Sequence, residues 1–224
     1  MTTATTGPTR WRSVGFWWLA LTAAAVAVFA LLPYATQPLS DLAAADNEFA
    51  ANYADRPGWL RGVLYAHMTG GGLALLLSPV QLSARVRARA PRLHRWTGRT
   101  ALAGIAVGGV AGLVLAPHNV AGPVGVAGFG LLAALWLTFA TLGFRAIRRS
   151  AVTAHRRWML RAFALTYAGV TLRLWLVVLV PLTGEFLTAY RIVPFLAWVP
   201  NLVVVELLLR QPRAPHRERG RPVV

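Results

Sequence analysis

The stretch RVRARAPRLHRWTGRTALAGIAVGGVAGLVLAP, residues 85–117, carries the pattern that decides the fold of this 224-residue chain. Six arginines lie from Arg85 to Arg99, and an almost unbroken apolar run follows them. A helix needs about 20 apolar residues to cross the hydrocarbon core of a bilayer, and arginine is enriched in cytoplasmic loops. The stretch therefore predicts a cytoplasmic loop that leads into a membrane-spanning helix.

The same alternation of arginine clusters and apolar runs repeats along the whole chain. All 23 basic residues are arginine, and 19 of them lie in four clusters within residues 10–12, 85–99, 145–161 and 210–221. The apolar runs predict six spans, at residues 14–33, 62–82, 99–117, 124–144, 158–180 and 192–209. Because all four clusters belong on the cytoplasmic side and the number of spans is even, we expect both termini in the cytoplasm.

The predicted fold is an all-α integral membrane protein, a six-helix bundle over residues 14–210. A cytoplasmic segment at 1–13 would precede it, and a basic, disordered cytoplasmic tail at 211–224 would follow it. The expected location is the bacterial cytoplasmic (inner) membrane, where the arginine-rich face would meet the anionic headgroups of the lipid bilayer.

Composition excludes several other classes of protein. The chain is 56% hydrophobic, more than a soluble domain of this length can bury. Its net charge of +16 does not indicate nucleic-acid binding, because the arginines flank apolar spans instead of covering one solvated face. Cysteine is absent, which excludes disulfides and thiolate metal sites, and the spacing of the remaining residues predicts no metal site.

A few polar side chains fall inside the predicted spans, where they are costly and commonly functional. They are His67, Gln81, Arg173, Asn201 and Glu206. Counting depth at 1.5 Å per residue, we expect Arg173 to pair with Asn201 or His67 and not with Glu206.

Two similar segments, LHRWTGR at 93–99 and AHRRWMLR at 154–161, place His94 and His155 at similar depth on the cytoplasmic side. Histidines on facing helices can be the axial ligands of haem b, and arginines can pair with its propionates. The candidate haem ligands are His94 and His155 as an axial pair and His67 as a further ligand; the propionate candidates are Arg99, Arg157 and Arg161. The alternative is that both histidines begin helices and meet lipid headgroups.

Several longer motifs, in order along the chain, resemble a bacterial family of predicted membrane proteins, DUF2306. The motifs are HMTGGGLALLLSPVQ (67–81), RLHRWTGR (92–99), AHRRWMLRAFALTYAGVTLRLW (154–175) and WVPNLVVVE (198–206). The resemblance covers roughly residues 55–210 and implies a multi-span membrane protein with no known reaction. This chain matches the motifs at His67, Gln81, His94, Arg99, His155, Arg157, Arg161, Arg173, Asn201 and Glu206.

Three functional classes follow from these features, and the sequence alone assigns no reaction. A haem-linked transmembrane redox protein is the sharpest hypothesis. A small-molecule transporter or permease is the first alternative, since Pro181, Pro194 and Pro200 could break spans five and six beside a midplane cavity. A structural or assembly component without a cofactor is the second, with a protein partner or a second copy packed on the glycine-rich face of span three.

Overall fold

The computed structural model describes residues 8–29 and 31–211, and its regular elements are all helical. Residues 1–7 of the predicted N-terminal segment and residues 212–224 of the predicted tail lie outside the described residues. The helices are α1 (Pro8–Phe29), α2 (Leu32–Thr36), α3 (Leu39–Ala44), α4 (Glu48–Ala54), α5 (Gly58–Leu82), α6 (Ala84–Arg89), α7 (Pro91–Leu115), α8 (Gly122–Arg148), α9 (Val152–Thr166), α10 (Ala168–Thr183), α11 (Phe186–Leu196) and α12 (Val199–Arg210).

Six helical segments of the described chain are long and apolar enough to cross a membrane, which confirms the predicted all-α fold with six spans. They are Val14–Thr36, Gly58–Leu82, Pro91–His118, Gly122–Arg148, Val152–Thr183 and Phe186–Arg210. The outer surface is apolar, as a surface facing lipid must be: Val177 is 74% exposed and Leu182 is 76% exposed.

All spans but the first begin earlier than the apolar pattern predicts, and the third and fifth bear on the histidines. The third starts at Pro91 instead of 99 and the fifth at Val152 instead of 158. Proline suits the first turn of a helix because its missing N–H would have no partner there, and α7 begins in this way. His94 and His155 consequently lie in the first turns of α7 and α9.

Helices α5 and α7 pack with their backbones in direct contact through glycine. A Cβ atom on Gly70 would lie 2.6 Å from the carbonyl oxygen of Gly104 and 2.7 Å from the nitrogen of Gly108. One on Gly104 would lie 2.7 Å from the carbonyl oxygen of Gly70. These glycines therefore set the distance between the second and third spans.

The connection between the first two spans forms a small helical cap. The chain turns at Asp46, with φ of 59°, and this turn separates α3 from α4. Asn47 caps α4, because its side-chain oxygen accepts a hydrogen bond of 3.0 Å from the Ala50 backbone N–H. Tyr53 of α4 is buried in a cluster with Leu60 and Leu64, which fixes the cap on α5.

The fifth and sixth spans are each interrupted. Helix α9 gives way to α10 at Tyr167, and α11 gives way to α12 at Ala197 and Trp198. Of the three prolines expected to break these spans, Pro181 and Pro194 lie within helices, and only Pro200 follows a break.

Candidate functional site

The fold brings the second and third arginine clusters together at one end of the bundle. Arg87 lies in the short helix α6 that follows α5, and Arg156 lies near the start of α9. Burial, and then the like charge of Arg156, lower the pKa of the Arg87 guanidinium. This end is therefore a concentrated positive surface built from separate loops.

His94 lies at this end with an unsatisfied ring nitrogen. Its Nδ1 is buried and has no hydrogen-bond partner among the described residues. The backbone around it is fixed by Gln81 of α5, whose side-chain amide donates to the His94 carbonyl at 3.1 Å and to the Thr97 hydroxyl at 2.6 Å. Gln81, a predicted site residue, thus positions the start of α7 and leaves the His94 ring free to meet a ligand.

The His155 ring, unlike that of His94, is held by a hydrogen bond at one of its nitrogens. Its Nδ1 lies 2.8 Å from the carbonyl oxygen of Gly143 on α8. A carbonyl only accepts, so Nδ1 carries the proton and the Nε2 lone pair of the neutral ring remains available. Histidines that bind metals are commonly oriented in this manner.

His94 and His155, the predicted pair, lie at the same end of the bundle, on α7 and α9. The charge of His155 acts on His94, as do the charges of Arg87 and Arg95. The first turns of two helices thus present two imidazoles within one positively charged region.

The three arginines proposed for propionates differ in availability. Arg99 is exposed and lies 5.5 Å from the centre of the Trp96 ring. Arg157 is exposed and, with Arg161, lines an open cleft of about 830 Å³ at the start of α9. Arg161 is already bound to Glu206, with Nε 2.5 Å from Oε1 and Nη2 2.9 Å from Oε2. Arg99 and Arg157 therefore remain free candidates, whereas Arg161 is committed to an ion pair.

His67 lies elsewhere, on the contact between α5 and α7. Its Nδ1 is 2.7 Å from the carbonyl oxygen of Gly108, so Nδ1 is the protonated nitrogen. The ring of His118 bonds to the Val114 carbonyl, with Nδ1 2.9 Å from the oxygen. Among the described histidines, His155 is the one whose charge acts on His94.

Of the two partners expected for Arg173, Asn201 is wrong, whereas His67 is an electrostatic neighbour of Arg173 whose ring bonds to Gly108. The Asn201 amide donates to the Ala164 carbonyl at 3.2 Å and to the Thr171 hydroxyl at 3.0 Å, which joins the breaks in spans five and six. Carbonyls released at a helix break need donors, and this requirement determines the position of Asn201. Arg173 donates to the Gly169 carbonyl at 2.7 Å, and it does not pair with Glu206, as predicted.

Two tyrosines and one threonine near the polar positions were missed by sequence reasoning. Tyr34 and Tyr190 are electrostatic neighbours of Arg173, and the Thr171 hydroxyl donates to the carbonyl of Ala197. Aromatic residues are common in membrane proteins, and no spacing links residues 34, 173 and 190 along the chain. Only the tertiary fold brings these three residues together.

Clusters of three or more histidine, cysteine or acidic side chains that could hold a metal ion are absent from the described ranges.

The family model described as "Predicted membrane protein (DUF2306)" matches residues 64–209. No curated protein and no solved structure matches the chain. The matched segment covers more than half of the chain and runs from α5 into α12, so it contains His67, His94, His155, Arg173 and Glu206. The chain belongs to the DUF2306 family of predicted membrane proteins, and it is a multi-pass membrane protein.

Proposed function

We propose that the chain binds one haem b between His94 and His155 and acts as a membrane redox protein. One observation carries this proposal: the Gly143 carbonyl fixes the proton of His155 on Nδ1, and the His94 ring at the same end of the bundle has a buried, unpartnered nitrogen. Neutral imidazoles from two helices of a bundle can hold a haem iron, and His94 of α7 and His155 of α9 would be those ligands here. The donor set at this end of the bundle fits that requirement.

The surrounding charge supports the same assignment. Haem b carries two propionates, and exposed arginines are good partners for carboxylates because they donate in a planar fork. Arg99 and Arg157 are exposed at this end of α7 and α9 and have the free donors required. Arg161 acts in a second way, since its ion pair with Glu206 holds α12 against the helix that carries His155.

A bound haem b would supply one-electron transfer. The residues of this chain would then orient the group and set its surroundings. The hydrogen bond from His155 to Gly143 fixes the ring orientation and makes the imidazole a stronger donor, while Gln81 and Thr97 fix the backbone beneath His94. We place this site on the cytoplasmic side of a bacterial inner membrane, near anionic headgroups.

The visible spectrum of the full-length protein, purified in detergent after expression with added haem precursor, tests the proposal. We expect a Soret band that shifts on reduction with dithionite and is lost in both His94→Ala and His155→Ala. His118→Ala is the matched control, because the His118 ring nitrogen bonds to the Val114 carbonyl, and this substitution should leave the spectrum unchanged. A colourless wild-type protein, or a band retained in both variants, would reject the proposal.

A transporter receives less support from the interrupted spans. Discontinuous helices in transporters expose backbone groups to a substrate. Here Asn201 and Thr171 satisfy the carbonyls of Ala164 and Ala197, so these breaks are closed by protein. In the external half of the bundle, the candidate ligand-binding residue is Arg173.

A further inference from the structure

Arg173 lies deep in the fifth span and does not turn toward the nearer surface. Ten positions separate it from Thr183, the last residue of α10, which corresponds to about 15 Å of helix. Its Nη1 donates to the Gly169 carbonyl at 2.7 Å, one turn toward the start of α10. Long cationic side chains near helix ends usually extend to the interface. Arg173 is instead directed toward the middle of the bundle.

This guanidinium has no carboxylate to neutralise it. Within residues 8–29 and 31–211, the single ion pair within 4.0 Å joins Arg161 and Glu206. Arginine carries five N–H donors and stays charged, and the Gly169 carbonyl uses one of them. A charge inside a bilayer is costly unless it is paired. Arg173 therefore needs an anionic partner that the described chain does not supply.

The groups around Arg173 are neutral and come from three other helices. Tyr34 of α2 and Tyr190 of α11 are the ionisable groups that act on its charge, and Arg173 in turn acts on His67 of α5. Tyr190 is only 6% exposed and packs 5.2 Å from the Phe186 ring centre, yet its hydroxyl makes no hydrogen bond in the described part of the chain. This hydroxyl, on an electrostatic neighbour of Arg173, is a second donor available to the same ligand.

We propose that Arg173 binds the carboxylate of a small monocarboxylate that enters from the external side, with the Tyr190 hydroxyl as a further donor. The charge balance selects the class of ligand. One guanidinium among neutral groups neutralises one negative charge, whereas a phosphate dianion would leave a net charge within the membrane. The planar fork of arginine matches the two oxygens of a carboxylate. This site is separate from the proposed haem site, at the other end of the bundle.

Calorimetric titration of the full-length protein in detergent tests this assignment. A water-soluble acid, butyrate, and a membrane-partitioning acid, dodecanoate, distinguish a soluble source from a lipid source. Sodium chloride at equal ionic strength is the blank for both. We expect saturable binding of at least one of these two acids. Titrations in which neither acid gives more heat than chloride would overturn the proposal.

Three substitutions locate the binding. Arg173→Lys keeps the charge but loses the fork, so we expect at least a tenfold loss of affinity. Tyr190→Phe keeps the ring packing and removes one hydrogen bond, which predicts a loss of about two- to tenfold. Arg191→Lys is the matched control, because Arg191 is exposed on α11. The affinity of this variant for the acid should stay within twofold of wild type. Unchanged affinity in both Arg173→Lys and Tyr190→Phe would overturn the assignment even if one of these variants folded poorly.

Discussion

Arg161 and Glu206 form a two-pronged ion pair across 45 residues of sequence, with Nε 2.5 Å from Oε1 and Nη2 2.9 Å from Oε2. The same guanidinium lies 4.7 Å from the centre of the Trp158 ring, so the side chains of Glu206 and Trp158 together fix its position. The pair joins α9 to α12, the last described helix, and explains the one acid inside the sixth span. The main role of Glu206 is therefore structural.

Replacing Glu206 with Gln should lower the thermal unfolding midpoint in detergent. The side chains of Arg161 and Glu206 are 15% and 34% exposed, so solvent weakens the pair, and we expect a cost of about 1–2 kcal/mol. Glu48→Gln is the control, because Glu48 is exposed on α4. A double-mutant cycle with Arg161→Met that shows no coupling energy would contradict the predicted interaction.

Adjacent glycines on α5 should differ sharply in their tolerance of alanine. In Gly70→Ala the new Cβ meets the backbone of α7 at 2.6 Å, which forces the two helices apart. We expect a loss of about 1–3 kcal/mol in unfolding free energy, the usual cost of overpacking. Gly71→Ala is the control, since nothing lies within 4 Å of its added Cβ. Equal midpoints for the two variants would show that α5 and α7 are not in backbone contact.

Removing the unpaired charge should stabilise the protein when no carboxylate is present. Arg173→Met has a similar length and no charge, and charged residues at the centre of a span cost about 2.5–3.5 kcal/mol. We expect its unfolding midpoint, in buffer free of carboxylates, to rise above that of wild type, while Arg191→Met stays unchanged. A fall in the midpoint would mean that the bond from Arg173 to Gly169 is a structural contact needed for folding.

The sequence predicts the fold better than it predicts the contacts of the polar residues. Spans depend on apolar length and charge, which are local properties, so all six were found. Which ring nitrogen of His155 bonds to Gly143 depends on how the helices pack. The same is true of which arginine pairs with Glu206. The link from Arg173 to Tyr34 and Tyr190 also depends on the tertiary fold. Helical phase could limit which residues lie near Asn201. It could not show that the helices break at Tyr167 and Ala197, or that the Asn201 amide would be the hydrogen-bond donor there.

The predicted orientation can be measured independently of any ligand. The arginine clusters predict that the second, fourth and sixth spans end in the cytoplasm. Reporter fusions after residues 88, 150 and 215 should all give a cytoplasmic signal, whereas a fusion after residue 55, in the cap formed by α2–α4, should give an external one. An external signal from any of the first three fusions would reverse or break the predicted topology.

The most direct test of the central claim is a titration of the purified apoprotein with haem, followed by absorbance and by the ratio of haem to protein. Ligation by His94 and His155 together predicts saturation at one haem per chain. It also predicts that either His94→Ala or His155→Ala abolishes the reduced spectrum of an iron with two axial imidazoles. His67→Ala should retain that spectrum, because Nδ1 of His67 is committed to Gly108 and no second histidine faces it in the described helices. Failure of haem to bind wild-type protein, or saturation unchanged in both the His94 and His155 variants, would contradict the claim.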